Sequence, residues 1–501
     1  MGIVKKEGIR NTIIYYSGVV LAYFTMVILL PKVLLPDQFG LIRILIPYAA
    51  MLAYFFLVGM PNVMVRFFPY LKNAEKGHNG ILFFAFSVAG AGILVTSVVF
   101  YIFKDQILHF YAPKAGLLVQ YYYLLYPLAI SITIFEIFSA YCRAQFKTNF
   151  SVFLNEVYVR ILVLILAVCY FYHLFNFQVF VYLFIGAYLT NPVLMLLYTW
   201  WNKMLFIKPT KAVLRSGQIN QMLNYGLFNF FGGATGVLMD KLDIVFIPGL
   251  LNLAYTGIYG IAVMLGQAAA LPAKALLMIL YPLTTDAFKE NDREKLQYLY
   301  TTSCNVQLFV GGFTFLMIWV NFDSVFNILH PSFLLGKYAF LFLGIGKLFD
   351  MATGINGPLL SSSKYYRYDL AFTISLVILT IVTVNLFVPL YGIAGAGLAI
   401  ATTSILNNIV KSVFVWRTLR LQPFNMATLR IFMAISGIFV VSMLLPASGS
   451  FIFDILYKST VIGFLFLMSL LYLNITPEIS TLAISMIERG KRIAKRPFGK
   501  K

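Results

Sequence analysis

Acidic residues are scarce in this chain. Only 18 aspartates and glutamates stand against 38 lysines and arginines over 501 residues, and charged residues of either sign make up 11%. A soluble fold of this length cannot cover its surface with so little polar material. Cysteine is nearly absent: Cys142, Cys169 and Cys304 are far apart and carry neither a disulfide framework nor metal-ligand spacing. The four histidines, His78, His109, His173 and His330, fall singly in expected loops or at helix ends, where the plain reading is an interfacial or solvated imidazole. No G-x-x-x-x-G-K-[ST] run exists to cradle a nucleotide and no H-E-x-x-H to hold zinc. "SSSK" at 361–364 matches S-x-x-K, but it sits in a short loop without a second motif and reads as chance, as does "NIT" at 474–476. The sequence thus argues against an enzyme and gives no catalytic residue, metal or cofactor.

Apolar length is what the chain has instead. It is 60% hydrophobic and 17% aromatic. Runs long enough to cross a ~30 Å hydrocarbon core as helices recur throughout. The expected fold class is an all-α polytopic membrane protein with about fourteen transmembrane helices, near 11–30, 40–60, 80–102, 117–140, 151–172, 179–200, 222–246, 254–281, 299–320, 338–358, 370–389, 394–415, 428–445 and 453–473. The start, "MGIVKKEGIRNTIIYYSGVV", reads as a charged flank and a first span rather than a cleaved signal. The longest connections, near 61–79, 202–221, 283–298 and 321–337, are too short to house a catalytic domain.

Lysine and arginine set the expected orientation. With the N-terminus inside, inner segments collect about 27 of the 38 basic residues, and outer ones only Lys32, Lys104, Lys114 and Lys337. Both termini are expected in the cytoplasm, in a cytoplasmic membrane. The +20 net charge then faces anionic lipid headgroups and needs no nucleic acid. The tail "ISMIERGKRIAKRPFGKK" reads as a positive-inside anchor or as an amphipathic helix on the inner leaflet.

An internal repeat is visible. "FGLIRILIPYAAML" opens the second span and "TGIYGIAVMLGQAAAL" the eighth, matching Gly40 to Gly257, and each span runs on to an aromatic–proline pair, Phe68-Pro69 and Tyr281-Pro282. It predicts two parallel six-helix lobes, related by a pseudo-twofold axis along the membrane normal. The expected boundaries are an N-terminal lobe over 1–205, an inter-lobe linker over 206–221, a second lobe over 222–418, two additional helices over 419–474 and a basic tail over 475–501. Gly232 and Gly236 form a G-x-x-x-G step expected to serve close helix packing.

"VLMDKLDIVF" at 237–246 puts three charges in an apolar stretch. A charge at the bilayer centre costs about 2.5–3.5 kcal/mol on insertion scales, so such residues face protein or water and are functional candidates. They are Arg43, Glu136, Glu156, Arg160, Asp240, Lys241, Asp243, Lys274, Lys347 and Asp350. Glu156 and Arg160 stand four apart, and Lys347 and Asp350 three apart, so each couple is placed to neutralise itself. Glu136 lies at a similar depth and is a candidate second partner for Arg160. Asp240, Lys241 and Asp243 either snorkel to the interface or line a water-accessible path, and Arg43 has the same two readings. Lys274 has no acid within a turn. Together these residues suggest a polar route across the membrane, as in a transporter.

"GIRNTIIYYSGVVLAYF", "LLPDQFGLIR", "GMPNVMVRFFPYLKN" and "PLYGIAGAGLAIA" resemble the polysaccharide-biosynthesis flippases, the bacterial O-antigen and capsule repeat-unit translocases of the multidrug/oligosaccharidyl-lipid/polysaccharide exporter superfamily. The resemblance implies alternating access and a lipid-linked oligosaccharide bearing a pyrophosphate as cargo. It makes Arg43, Arg66, Arg160, Lys241, Lys274 and Lys347 candidate contacts for that anion, and Glu136, Glu156, Asp240, Asp243 and Asp350 candidate coupling or ion-pair acids. Implied partners are membrane lipids, an H+ or Na+ gradient, and polysaccharide polymerase or glycosyltransferases. Two alternatives stand beside it. One is an ion-coupled multidrug exporter of the same fold, against which the acid-free first span "NTIIYYSGVVLAYFTMVILL" counts. The other is a membrane glycan polymerase or glycosyltransferase, against which the short outer loops count.

Overall fold

The computed structural model describes residues 2–73, 77–207, 218–326 and 331–472. The expected basic tail and most of the expected linker lie outside them. Among the described residues every regular element is helical. The main helices are α1 (Gly2–Tyr23), α2 (Pro36–Leu57), α3 (Met60–Leu71), α4 (Ile81–Ile102), α5 (Leu125–Ala144), α6 (Val159–Phe171), α7 (Phe177–Trp201), α8 (Ile219–Leu250), α9 (Leu253–Lys289), α10 (Arg293–Phe326), α11 (Gly336–Ala352), α12 (Tyr366–Leu419), α13 (Met426–Leu444) and α14 (Phe451–Tyr472). The chain is an all-α polytopic membrane protein.

Among the described residues, twelve helical segments are long and apolar enough to cross a membrane. One of them, Arg367–Leu419, contains two crossings. A straight helix of that length would run ~80 Å at 1.5 Å per residue, far beyond one hydrocarbon core. It folds back at Gly392, whose φ of 59° and ψ of −134° suit a residue without Cβ, three residues after Pro389. The two arms are pinned by Thr383 and Thr403, whose hydroxyls lie 2.9 Å apart. The α8 helix is long enough to cross but is not among the twelve. Its three charges and its asparagine- and glycine-rich first half dilute its apolarity. Counting both arms of α12 and adding α8 gives the fourteen crossings expected from sequence.

Two details differ from expectation. Within the connection expected near 61–79, residues up to 71 belong to the amphipathic helix α3, which buries Met60, Val63, Met64, Phe67, Phe68 and Leu71. Its Pro61 looks like a loop signal but sits in the first turn, where the missing N–H costs nothing. His78, expected to be interfacial or solvated, is 6% exposed. Its ring packs against Phe68, Tyr141 and Phe206, and its Nδ1 accepts from the Asn73 N–H at 3.2 Å.

Two helical segments carry π-type turns, Phe24–Leu29 after α1 and Leu154–Tyr158 before α6. Such wide turns are frequent where a helix re-aims side chains. Here α1 approaches the second of them so closely that a Cβ at Gly18 would collide with the Glu156 carbonyl. Chain contacts divide the molecule into two compact units, Met1–Ile261 and Ala262–Lys501.

Candidate functional site

In the first unit the polar residues gather around Tyr188 on α7. Arg160 donates from Nη2 to Glu156 Oε2 at 2.6 Å, and Asn155 Nδ2 donates to the other carboxylate oxygen at 2.9 Å. The i,i+4 pairing read from sequence is therefore present, with both side chains largely shielded. Tyr188 lies within electrostatic reach of Arg160, Arg43 and Glu156, and Tyr23 within reach of Arg43. Arg43 donates to the Gly260 carbonyl at 2.6 Å, a contact that any Cβ at Gly260 would block. Residues 43, 160 and 188 are too far apart in sequence for their meeting to be read without the fold.

Glu136 belongs elsewhere. It pairs with Arg143 at 3.5 Å, two turns along the same face of α5, and both side chains are about 40% exposed. It is not a second partner of Arg160. Arg66 is exposed on α3, where its guanidinium lies 4.2 Å from the Tyr225 ring centre in a cation–π contact.

The "MDKLD" stretch divides. Asp240 is exposed and Lys241 half-buried, whereas Asp243 is buried and fully engaged. Asp243 Oδ2 accepts from the Tyr259 hydroxyl at 2.7 Å and Oδ1 from the Ile244 N–H at 2.8 Å. Asp243 thus ties α8 to the start of α9 and does not line a water-filled path. The G-x-x-x-G reading also fails: no atom comes within 4 Å of a Cβ built on Gly232 or Gly236. The close helix approach is made instead at Gly40 and Gly257, the pair matched in the sequence repeat, where a Cβ on Gly257 would lie 3.1 Å from the Gly40 nitrogen.

In the second unit the expected Lys347–Asp350 pair does not form. Asp350 Oδ1 accepts instead from Asn408 Nδ2 at 2.9 Å, and Asn408 Oδ1 receives the Thr353 hydroxyl at 3.1 Å. The amide from the second arm of α12 takes the place that the lysine was expected to hold. A second polar link runs from Asn356 Nδ2 to Ser412 Oγ at 3.0 Å, and Asn356 also accepts from the Tyr300 hydroxyl. Lys347 is half-buried and Lys274 exposed, and neither makes an ion pair or hydrogen bond among the described residues. Ser361 of the S-x-x-K match shares a hydrogen bond with the Tyr281 hydroxyl at 2.6 Å, which fits a tie between helices.

Two ion pairs inside candidate spans escaped the sequence reading. Lys411 and Asp369 meet at 2.8 Å across the two arms of α12. They are 42 residues apart and adjacent only because the chain turns at Gly392. Lys458 and Asp454, on α14, are both under 10% exposed and lie 3.9 Å apart. Their i,i+4 spacing was a legible signal, and Ser448 adds two hydrogen bonds to the Asp454 carboxylate.

No known family pattern matches the sequence. No curated protein matches it either. Solved structures do match in fold. The chain is similar to a lipid II flippase, MurJ, in an inward closed conformation, with a TM-score of 0.66 at 14% identity over 93% of this chain and 99% of that one. It is similar to a multidrug resistance MATE family transporter of the MOP superfamily in an inward-facing conformation, with a TM-score of 0.61 at 15% identity over 81% and 94% of the two chains. A third similarity is to the MATE multidrug transporter DinF-BH, with a TM-score of 0.52 at 14% identity over 83% and 95%.

Proposed function

We propose that this protein is a flippase that carries a lipid-linked oligosaccharide, joined to its carrier through a pyrophosphate, from the inner to the outer leaflet of a bacterial cytoplasmic membrane for cell-surface polysaccharide synthesis. The observation that carries the reading is the state of Lys274 and Lys347. Both stand in membrane-crossing helices without an acidic partner among the described residues. An unpaired cation is costly in a membrane, and an anionic cargo supplies the charge that lowers that cost. The similarity to a lipid II flippase over 93% of this chain and 99% of that one supports a lipid-borne cargo. So does an apolar cavity of about 390 Å³ among α10, α11 and α13, lined by Phe315, Ile345, Leu348, Phe432, Ile435 and Phe439, which suits a hydrocarbon chain. In this reading both termini are cytoplasmic and 1–205 and 222–418 are the two lobes.

An ion-coupled exporter of small molecules is the second reading. It is favoured by the exposed Asp350 carboxylate held by Asn408 and by the similarity to multidrug transporters.

The test measures surface glycan together with inner-leaflet lipid-linked precursor in a deletion strain carrying variants. Lys274→Glu and Lys347→Glu should cut surface glycan at least tenfold at unchanged protein level while precursor accumulates. Lysine to arginine should be tolerated better than lysine to glutamine, because a point charge is what the role needs. Normal export by both glutamate variants would remove these lysines from the anion's path. Absence of precursor accumulation in the deletion strain would remove the flippase reading itself.

A further inference from the structure

A crevice in the first compact unit collects hydrogen-bond donors that have nothing in the chain to bond. It lies where two consecutive spans meet the same membrane face: α4 ends at Ile102, and the next candidate span begins at Tyr122. Its volume is about 540 Å³. That falls within the range of about 300–1,000 Å³ usual for small-molecule sites.

One wall is a stripe of α4. Leu94, Val98 and Tyr101 stand at i, i+4 and i+7, share a face and are all exposed. Lys104, just past the end of the helix, continues the line. Over ~15 Å the wall thus passes from aliphatic to aromatic to cationic. A membrane lipid changes in the same order, from acyl chain through ester region to phosphate. The facing wall is built of tyrosines from the start of the next span. Tyrosine rings at a membrane interface are ordinary and by themselves call for no ligand. The donors do call for one. The Lys104 ammonium and the hydroxyls of Ser97 and Tyr126 line the crevice, and none makes a hydrogen bond or ion pair among the described residues. Tyr123 differs, being engaged by the Tyr182 hydroxyl at 2.7 Å. Asp105 follows Lys104 but takes no part in the lining, which holds no carboxylate.

An ammonium and two hydroxyls suit an oxyanion. A free phosphate would use these donors and leave the aliphatic half of the wall idle. A plain hydrocarbon would do the reverse. The ring faces would accept a choline cation, but Lys104 repels it. We propose that this crevice binds one anionic glycerophospholipid, its phosphate on Lys104, Tyr126 and Ser97 and an acyl chain along Val98 and Leu94. With the orientation proposed above, the lipid belongs to the outer leaflet, where basic residues are few and general attraction to a basic surface is weakest. The site is separate from any cargo path and does not rest on the flippase reading.

The experiment uses the full-length protein in phosphatidylcholine vesicles containing a small fraction of phosphatidylglycerol with a photoactivatable diazirine on its acyl chain. Phosphatidylcholine bearing the same chain is the control probe, and cross-linked peptides are located by mass spectrometry. In wild type the phosphatidylglycerol probe should label 94–104 and 122–126 at least tenfold more than the control, the ratio that one charge-assisted hydrogen bond supports. Labelling elsewhere on the chain serves as the internal reference. Lys104→Gln combined with Tyr126→Phe should erase the preference, and Lys104→Arg should keep most of it. None of these groups is bonded within the chain, so the unfolding temperature of the variants in detergent should match wild type. Equal labelling of wild type by both probes overturns the proposal and needs no variant to do so. A double variant labelled as strongly as wild type overturns it too. Loss of labelling on addition of excess glycerol 1-phosphate would give the site to a soluble phosphate and overturn the lipid.

Discussion

The two compact units differ in how their deep cations are held. In Met1–Ile261 the two deep arginines are committed: Arg160 to Glu156, and Arg43 to a backbone carbonyl. In Ala262–Lys501 two lysines, Lys274 and Lys347, have no acidic partner among the described residues, while Lys411 and Lys458 are each held by one. The contrast follows residue type. A planar guanidinium with five donors suits a fixed, multiply bonded position, whereas an ammonium on a flexible stem suits a partner that comes and goes. The first unit's deep arginines thus hold fixed bonds, whereas Lys274 and Lys347 in the second make none among the described residues.

The comparison breaks most visibly at Arg160. Arg160→Ala leaves Glu156 shielded and unpaired, and should destabilise the protein by on the order of 3 kcal/mol, read as lost abundance and a lower unfolding temperature in detergent. Changing both residues to glutamine should restore much of it. Normal abundance with failed export would instead group Arg160 with Lys274 and Lys347. A smaller effect is expected at Tyr259. Tyr259→Phe leaves Asp243 with the Ile244 N–H alone and should cost about 2 kcal/mol. The smallest should come from Asp240→Asn, three residues away and exposed, where a change within about 0.5 kcal/mol is expected. Equal effects at these two sites would show that the burial of Asp243 is not what separates them.

What could be read from sequence was whatever lies within one helix. Crossing helices are signalled by apolar length, and Glu156–Arg160 by a spacing of four. Contacts made by folding the chain back were invisible. Lys411 meets Asp369 only through the turn at Gly392, and Asn408 displaces Lys347 from Asp350 only because the second arm of α12 lies against α11. The sequence reading failed at α3 for another reason. A short helix that buries one face averages to a loop-like composition. His78 was misjudged because a lone histidine in a polar stretch gives no sign that Phe68, Tyr141 and Phe206 will surround it.

The weak apolarity of α8 bears on how the chain is made. Helices enter the bilayer in the order of synthesis, and α8 presents Asp240, Lys241 and Asp243 to the insertion machinery before Tyr259 exists to receive the third of them. On insertion scales each such charge opposes partitioning by about 2.5–3.5 kcal/mol near the helix centre. The α8 segment is therefore a poor candidate to leave the translocation channel alone. It should wait there until the first turns of α9 emerge, so that the two enter as a hairpin with the Asp243–Tyr259 hydrogen bond already made. A nascent chain arrested with α8 outside the ribosomal tunnel and Tyr259 still inside it should leave α8 extractable by alkaline wash. Arrest with the whole of α9 outside the tunnel should leave α8 fully embedded.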